Sequence, residues 1–181
     1  MRRLLSVQVG LPRSVELRGR RMRTAIFKEP VLLRVCVSRL NLEGDRQADL
    51  RVHGGPDKAV YAYDLSGYEH WSRKLSRELP FGQFGENLTV EGMPETEVRI
   101  NDTYRIGSAL LQVSQPRSPC GKLVMKMGIP GFARDFLASG RTGFYLRVLE
   151  EGEIGAGDAI ELVSREPGQI TVEQMTRRLY G

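Results

Sequence analysis

Apolar and polar residues alternate along most of this chain in short stretches, the period expected of half-buried strands. Residues 31–37 are apolar and β-branched and predict a mostly buried strand, with Cys36 as core packing. Residues 59–63 predict another, directly after a glycine turn. Residues 97–100 and 103–106 both alternate, and Asn101-Asp102 between them reads as a hairpin turn. Residues 109–113, 143–149 and 159–163 add three more strands. Helical spacing is scarcer. Tyr68, Trp71, Leu75 and Leu79 predict an amphipathic helix over 66–79, capped by Asp64 or Ser66 and stopped by Pro80. A short helix over 130–138 has proline in its first turn and Gly140 after it, and a last one covers about 171–180.

Many short strands, frequent turns and brief helices predict a mainly β protein, an antiparallel barrel or sandwich, rather than a doubly wound α/β fold. Composition supports this. Glycine and proline number 20 and 9 of 181 residues, with no collagen-like period, so they mark turns. Residues 1–164 read as one domain, and 165–181 as a linker and single C-terminal helix. No apolar run is long enough to span a membrane, and the N-terminus lacks the apolar core of a secretory signal. Two cysteines, Cys36 and Cys120, form no disulfide framework, which makes a reducing cytoplasm the expected setting. The net charge of +5 suits anionic ligands.

Several chemistries lack their fingerprints. His53, His70, Cys36 and Cys120 do not fall at structural-zinc spacing, and neither GxGxxG nor GxxxxGK[ST] occurs. Four cysteines for an iron–sulfur cluster are also missing. Redox chemistry would therefore need another bound cofactor and an external electron source.

Four segments carry what chemistry there is. In Val52-His53-Gly54-Gly55-Pro56-Asp57-Lys58, adjacent glycines allow close backbone approach to a ligand and two potential cations flank them. An ordinary tight turn would look the same. The segment Phe81-Gly82-Gln83-Phe84-Gly85-Glu86-Asn87 predicts an irregular loop whose Asn87 amide can fix backbone or ligand. Most informative is Gln115-Pro116-Arg117-Ser118-Pro119-Cys120-Gly121-Lys122. Its prolines place Cys120 on a turn at a strand end, and Arg117 and Lys122 flank it with positive charge that favours thiolate. A thiolate suits either a soft metal or a nucleophilic mechanism. The arginine run 18–23 fits phosphate or nucleic acid, or simply a solvated loop.

Taken in order, these segments resemble the MOSC family, named for the C-terminal domain of molybdenum cofactor sulfurase, and its small stand-alone bacterial branch in particular. That branch includes a hydroxylaminopurine reductase. The landmarks run from Thr24-Ala25-Ile26-Phe27-Lys28 through Gly44-Asp45, His53-Gly54-Gly55 with Lys58-Ala59-Val60-Tyr61, and Tyr68 with Trp71. They continue through Phe84-Gly85-Glu86-Asn87-Leu88 and Gln115 to Cys120, then Gly143, Arg147 and Gly157-Asp158. Where the family has Gly-Asp, this chain has Asn101-Asp102, and asparagine also accepts a positive φ. The stand-alone branch often ends in three helices; one fits here before Gly181.

The resemblance implies a MOSC-type β-barrel with short peripheral helices. It implies the molybdenum cofactor, a metal on a pterin dithiolene, with Cys120 as metal ligand and catalytic cysteine. Lys28, Lys58, Arg117, Lys122 and Arg147 are the implied phosphate partners, while His53, Gly54, Gly55 and Asn87 would meet the pterin. The implied activity is reduction of a small N-hydroxylated substrate, such as a hydroxylaminopurine base analogue, to its amine. Electrons would come from a separate reductase, and nucleic acid is not an expected partner. Two alternatives stay open: a sulfur carrier holding persulfide on Cys120, and a non-catalytic module that binds cofactor or nucleic acid.

Overall fold

A computed structural model describes residues 1–17, 19–48 and 54–181. Strand β1 (Arg3–Val9) is followed by a separate two-stranded ribbon of β2 (Arg13–Leu17) and β3 (Arg20–Thr24), and then by β4 (Glu29–Val31) and β5 (Val35–Val37). A 3-10 turn, Pro56–Lys58, leads into β6 (Val60–Asp64), helix α1 (Leu65–Leu75) and β7 (Leu88–Glu91). Next come β8 (Thr103–Ile106), β9 (Ala109–Pro116), α2 (Gly121–Met127), α3 (Phe132–Ala138), β10 (Phe144–Glu150), β11 (Gly152–Ile154), β12 (Ile160–Ser164) and α4 (Val172–Tyr180). Eight strands form one sheet in the order β12-β8-β9-β10-β6-β7-β1-β4, and β11 pairs separately with β5. Among the described strand pairs only β6 and β7 run parallel, as the crossover through α1 requires.

The expectation of a mainly β protein with brief helices holds, but the barrel does not close. Edge strands β4 and β12 do not pair with each other. The sheet instead curls until residues 157–160 bond the start of β1, through Leu4 N to Asp158 O (2.9 Å), Gly157 N to Leu4 O (2.7 Å) and Ile160 N to Arg2 O (3.1 Å). No helix among the described residues is long and apolar enough to cross a membrane.

Curling gives the sheet two buried faces, and β6 shows how. All five of its residues are buried. Val60 and Ala62 enter the core inside the curl with Leu4, Leu88, Leu111, Phe144 and Leu146. Tyr61 and Tyr63 point the other way, into an aromatic layer under α1, α2 and α3 with Trp71, Phe84, Phe132 and Phe136. Ring centroids lie 4.2 Å apart for Tyr63–Phe84 and 4.7 Å for Trp71–Phe132.

Local readings were displaced in instructive places. The strand expected over 31–37 breaks into β4 and β5, with Leu32 and Leu33 turned out to solvent. Cys36 is exposed rather than core, because β5 is covered on one face only and alternation puts Val35 and Val37 inside. The hairpin joins β8 to β9 through Gly107-Ser108, and 97–100 is not a strand; Asn101 does adopt a φ of 67°. Helix α1 starts one residue before 66, capped by the Asp64 carboxylate on Ser66 N (3.0 Å), and ends at Leu75, where Ser76 turns left-handed well before Pro80. Residues 165–171 are tied down: Arg165 grips Asp102 Oδ1 (2.8 Å) and Oδ2 (2.6 Å), while Ile170 and Val172 pack on the inner core.

Under the start of α4 lies a buried acid. Glu95 Oε1 accepts from Gly143 N (2.7 Å), and the Glu95 carbonyl accepts from Glu173 N (2.9 Å). Burial pushes its carboxyl up from 4.5 to about 7, with nearby Asp64 adding to the rise against Gly143 N–H and Arg141. Between those values the folded chain holds a proton that the unfolded chain has released. Stability therefore falls as pH rises across that window and stays lowest above it. Glu95→Gln is expected to exceed the wild type by about 3 kcal/mol near pH 8 and to match it near pH 4. Denaturant melts at both pH values check this; an unchanged difference between them contradicts it.

Candidate active site

Loop 81–87 and residues 24–28 fit together because glycine stands at two points of contact. Gly82 and Gly85 take φ of 86° and 79°, and a Cβ on either would come within 2.7 Å of the Lys28 carbonyl or of Ile26 Cγ1. Glu86, fully buried, ties the loop down by accepting from Gly82 N (2.7 Å), Phe84 N (3.1 Å), Thr89 Oγ1 (3.0 Å) and the Tyr68 hydroxyl. The loop forms one wall of an open cleft.

Cys120 lines this cleft and is half-buried. It stands where β9 has ended at Pro116 and α2 begins, its carbonyl accepting from Leu123 N (2.9 Å). Helix α2 went unread in the sequence, although Leu123 and Met127, both buried, have the spacing of one helical face. The same helix sends Lys126 back under the loop, where its ammonium donates to Ile26 O (3.0 Å) and Gly82 O. Burial lowers Lys126 to about 8, and the Glu86 charge resists that fall.

Of the expected site residues, Lys28, Lys58, Asn87, Arg117, Cys120 and Lys122 line one cleft. Arg117 is buried beneath it, donating to Phe84 O (2.7 Å) with its guanidinium 4.6 Å from the Tyr61 ring centroid. Lys28 pairs with Asp45, itself buried; burial lowers the lysine's pKa, and the Asp45 carboxylate opposes that fall. Asp45 also accepts from Gly10 N (2.9 Å) and Asn87 Nδ2 (2.9 Å). Asn87 accepts from Tyr61 N (3.1 Å) through Oδ1, so its amide holds the cleft wall instead of being presented to a ligand.

Others fall elsewhere. Arg147 shares a strand face with Tyr145 but sits two residues, about 7 Å, further along β10. There it bonds Asp57 Oδ1 (2.8 Å) and Gln112 Oε1 (3.0 Å), outside the described lining. Gly54 and Gly55 precede the 3-10 turn and are likewise not among the described lining residues. His53 lies outside the described residues. Conversely, the cleft includes Arg46, Gln47, Tyr61 and Tyr145, none singled out as site residues. Alternation in β6 and β10 was a usable signal for the two tyrosines; nothing local marked Arg46 or Gln47.

The curled mainly β scaffold thus presents Cys120 among cations, just after the end of β9. Residues 49–161, well over half the chain, match the MOSC domain model, and the chain belongs to that family. It is 46% identical over 177 residues to Uncharacterized protein YflK of Bacillus subtilis, covering 98% of this chain and 80% of the relative. Protein YiiM of Escherichia coli is 39% identical, over 83% of this chain and 68% of its own length. A protein named Reductase from Gibberella moniliformis is 35% identical over 90% of this chain, which spans only 29% of that longer relative. The crystal structure of YiiM from Geobacillus stearothermophilus superposes with a TM-score of 0.83 at 34% identity, covering 99% of this chain and 84% of the other.

Proposed function

We propose that this chain is a molybdenum-cofactor-dependent oxidoreductase that reduces small N-hydroxylated compounds, such as hydroxylaminopurine base analogues, to their amines. The observation that carries this reading is the donor set of the cleft. Cys120 supplies one soft sulfur, and no group of three His, Cys, Asp or Glu able to hold a metal occurs among the described residues. A metal that brings most of its own ligands, as a dithiolene-bound metal does, suits a cleft that offers this one sulfur. Cationic Arg46, Lys58 and Lys122 suit the phosphate of the pterin that carries it. The association of MOSC domains with the molybdenum cofactor, and the relative named Reductase, support the same reading.

When bound, the cofactor supplies two-electron redox chemistry at its metal. The chain's own residues do the rest. Cys120 anchors, the cations orient the anionic end, and the Lys28–Asp45–Asn87 network keeps one wall rigid. Tyr61 and Tyr145 line the cleft with two tilted aromatic rings, their centroids 5.5 Å apart. With no fingerprint for an electron-carrying group in the sequence, a separate reductase in a reducing cytoplasm delivers the electrons.

Elemental analysis of the protein purified from cells that make the cofactor, followed by turnover of a hydroxylaminopurine with reduced viologen, tests the proposal. About one molybdenum per chain and molybdenum-dependent amine formation are expected. Turnover without metal would overturn this reading, and a sulfur adduct on Cys120 with no molybdenum would replace it with the sulfur-carrier alternative.

A further inference from the structure

We propose that the outer face of the β2–β3 ribbon is the docking surface for the protein that delivers electrons to the cleft, and that this partner presents an acidic patch. The inference rests on the reductase reading above and names the face that meets the separate electron donor.

The ribbon is rooted in the cleft wall. It forms a two-stranded sheet of its own, and β3 ends at Thr24, which with Ala25 and Ile26 lines the same cleft as Cys120. Its other strand begins at Arg13, opposite Thr24 in register, with the guanidinium carbon 4.0 Å from the Phe27 ring centroid. Arg46, another lining residue, donates its backbone N–H to Gly10 O (3.1 Å), three residues before Arg13.

Alternation sorts the ribbon into two faces. Val15 and Met22, paired across the strands, are half-buried, and Thr24 is buried. Ser14, Glu16, Arg21 and Arg23 point the other way and are exposed. Arg23 and Arg21 lie one and three residues from Thr24, about 3 and 10 Å along the strand. Two guanidinium forks shaped to grip carboxylates therefore stand beside a cleft whose own Arg46, Lys58 and Lys122 extend the positive field.

Electron transfer needs close approach at this mouth, because its rate falls steeply with distance, and it needs only a brief encounter. Complexes of that kind are small and are steered by opposite charge. Two electrons, with two protons from water, turn a hydroxylamine into amine and water. A one-electron iron–sulfur carrier supplies them in two visits, a fully reduced flavin protein in one. Nucleic acid fits this face less well. Glu16 stands opposite Arg21 in register, against a phosphate backbone, and the ribbon carries no aromatic ring for a base to stack on.

Arg21→Gln combined with Arg23→Gln tests this, since both side chains are exposed and neither is among the described lining residues. In the molybdenum-loaded protein, turnover driven by reduced viologen should match the wild type. With a reduced, acidic plant-type ferredoxin as donor, kcat/KM for the ferredoxin should fall about tenfold or more at about 20 mM salt. That difference should shrink below about twofold at about 0.5 M salt. Glu16→Gln should move the ferredoxin value upward by about twofold, which no loss of ribbon structure would produce. An unchanged ferredoxin value in the double variant overturns the inference, and so does an equal fall with viologen. A wild type that turns over with viologen but not with ferredoxin overturns it too. Weakened binding of a DNA duplex with ferredoxin turnover intact makes the ribbon a nucleic-acid arm instead. A wild type without molybdenum or viologen turnover overturns the reductase reading itself, so the two failures stay distinct.

Discussion

Cys120→Ser is expected to lose bound molybdenum by more than about tenfold and to have no measurable reductase turnover, while folding almost as well as the wild type. The loss follows from ligand chemistry. A serine oxygen is hard and stays protonated at neutral pH, whereas the metal of a dithiolene prefers a soft, charged sulfur. The spared stability follows from position. Cys120 is half-buried at the lip of α2, and its backbone, which caps the helix, is untouched by the exchange. A change within about 0.5 kcal/mol is expected in denaturant melts. Elemental analysis beside those melts decides the matter: equal molybdenum in both proteins removes Cys120 from the site. A large stability loss would instead make it a structural thiol.

The second large effect concerns Asp45. Its carboxylate meets the Lys28 ammonium, Gly10 N–H and the Asn87 amide, and its side chain is 1% exposed against 9% for Lys28. Asp45→Ala strands a buried cation and two donors, a change expected to cost about 3–5 kcal/mol and to lower the melting midpoint by roughly 10 °C. Adding Lys28→Met should restore at least about half of that loss, because much of it is the penalty of an unpaired charge rather than the value of the pair. Additive losses in the double variant, measured by denaturant melts, would contradict this. The restored protein should still load molybdenum poorly, since the Lys28 cation is gone and Gly10 N–H has lost its acceptor beside the cleft.

Lys28 illustrates how site residues were legible. Its place in Thr24-Ala25-Ile26-Phe27-Lys28 marked it as a cleft cation, and it lines the cleft. What it does there depends on Asp45, 17 residues away along the chain, which only the folded geometry identifies. Asn87 is the same case: an amide in an irregular loop was readable, but that it faces Tyr61 N and Asp45 was not. Arg147 shows the opposite outcome. A cation on a strand looked available until the 3-10 turn brought Asp57 against it.

By itself the sequence determined the mainly β character, many of the turns, most helices and the placing of Cys120 just past a strand end. Those follow from period-two alternation, from glycine and proline, and from prolines that no strand or helix interior accepts. Tertiary structure alone decided that the sheet curls without closing, that β6 is buried on both faces, and that Cys36 faces water. It also decided which cations meet Cys120. Each of these depends on what covers a face, and coverage comes from segments far apart in the chain, which no local pattern encodes.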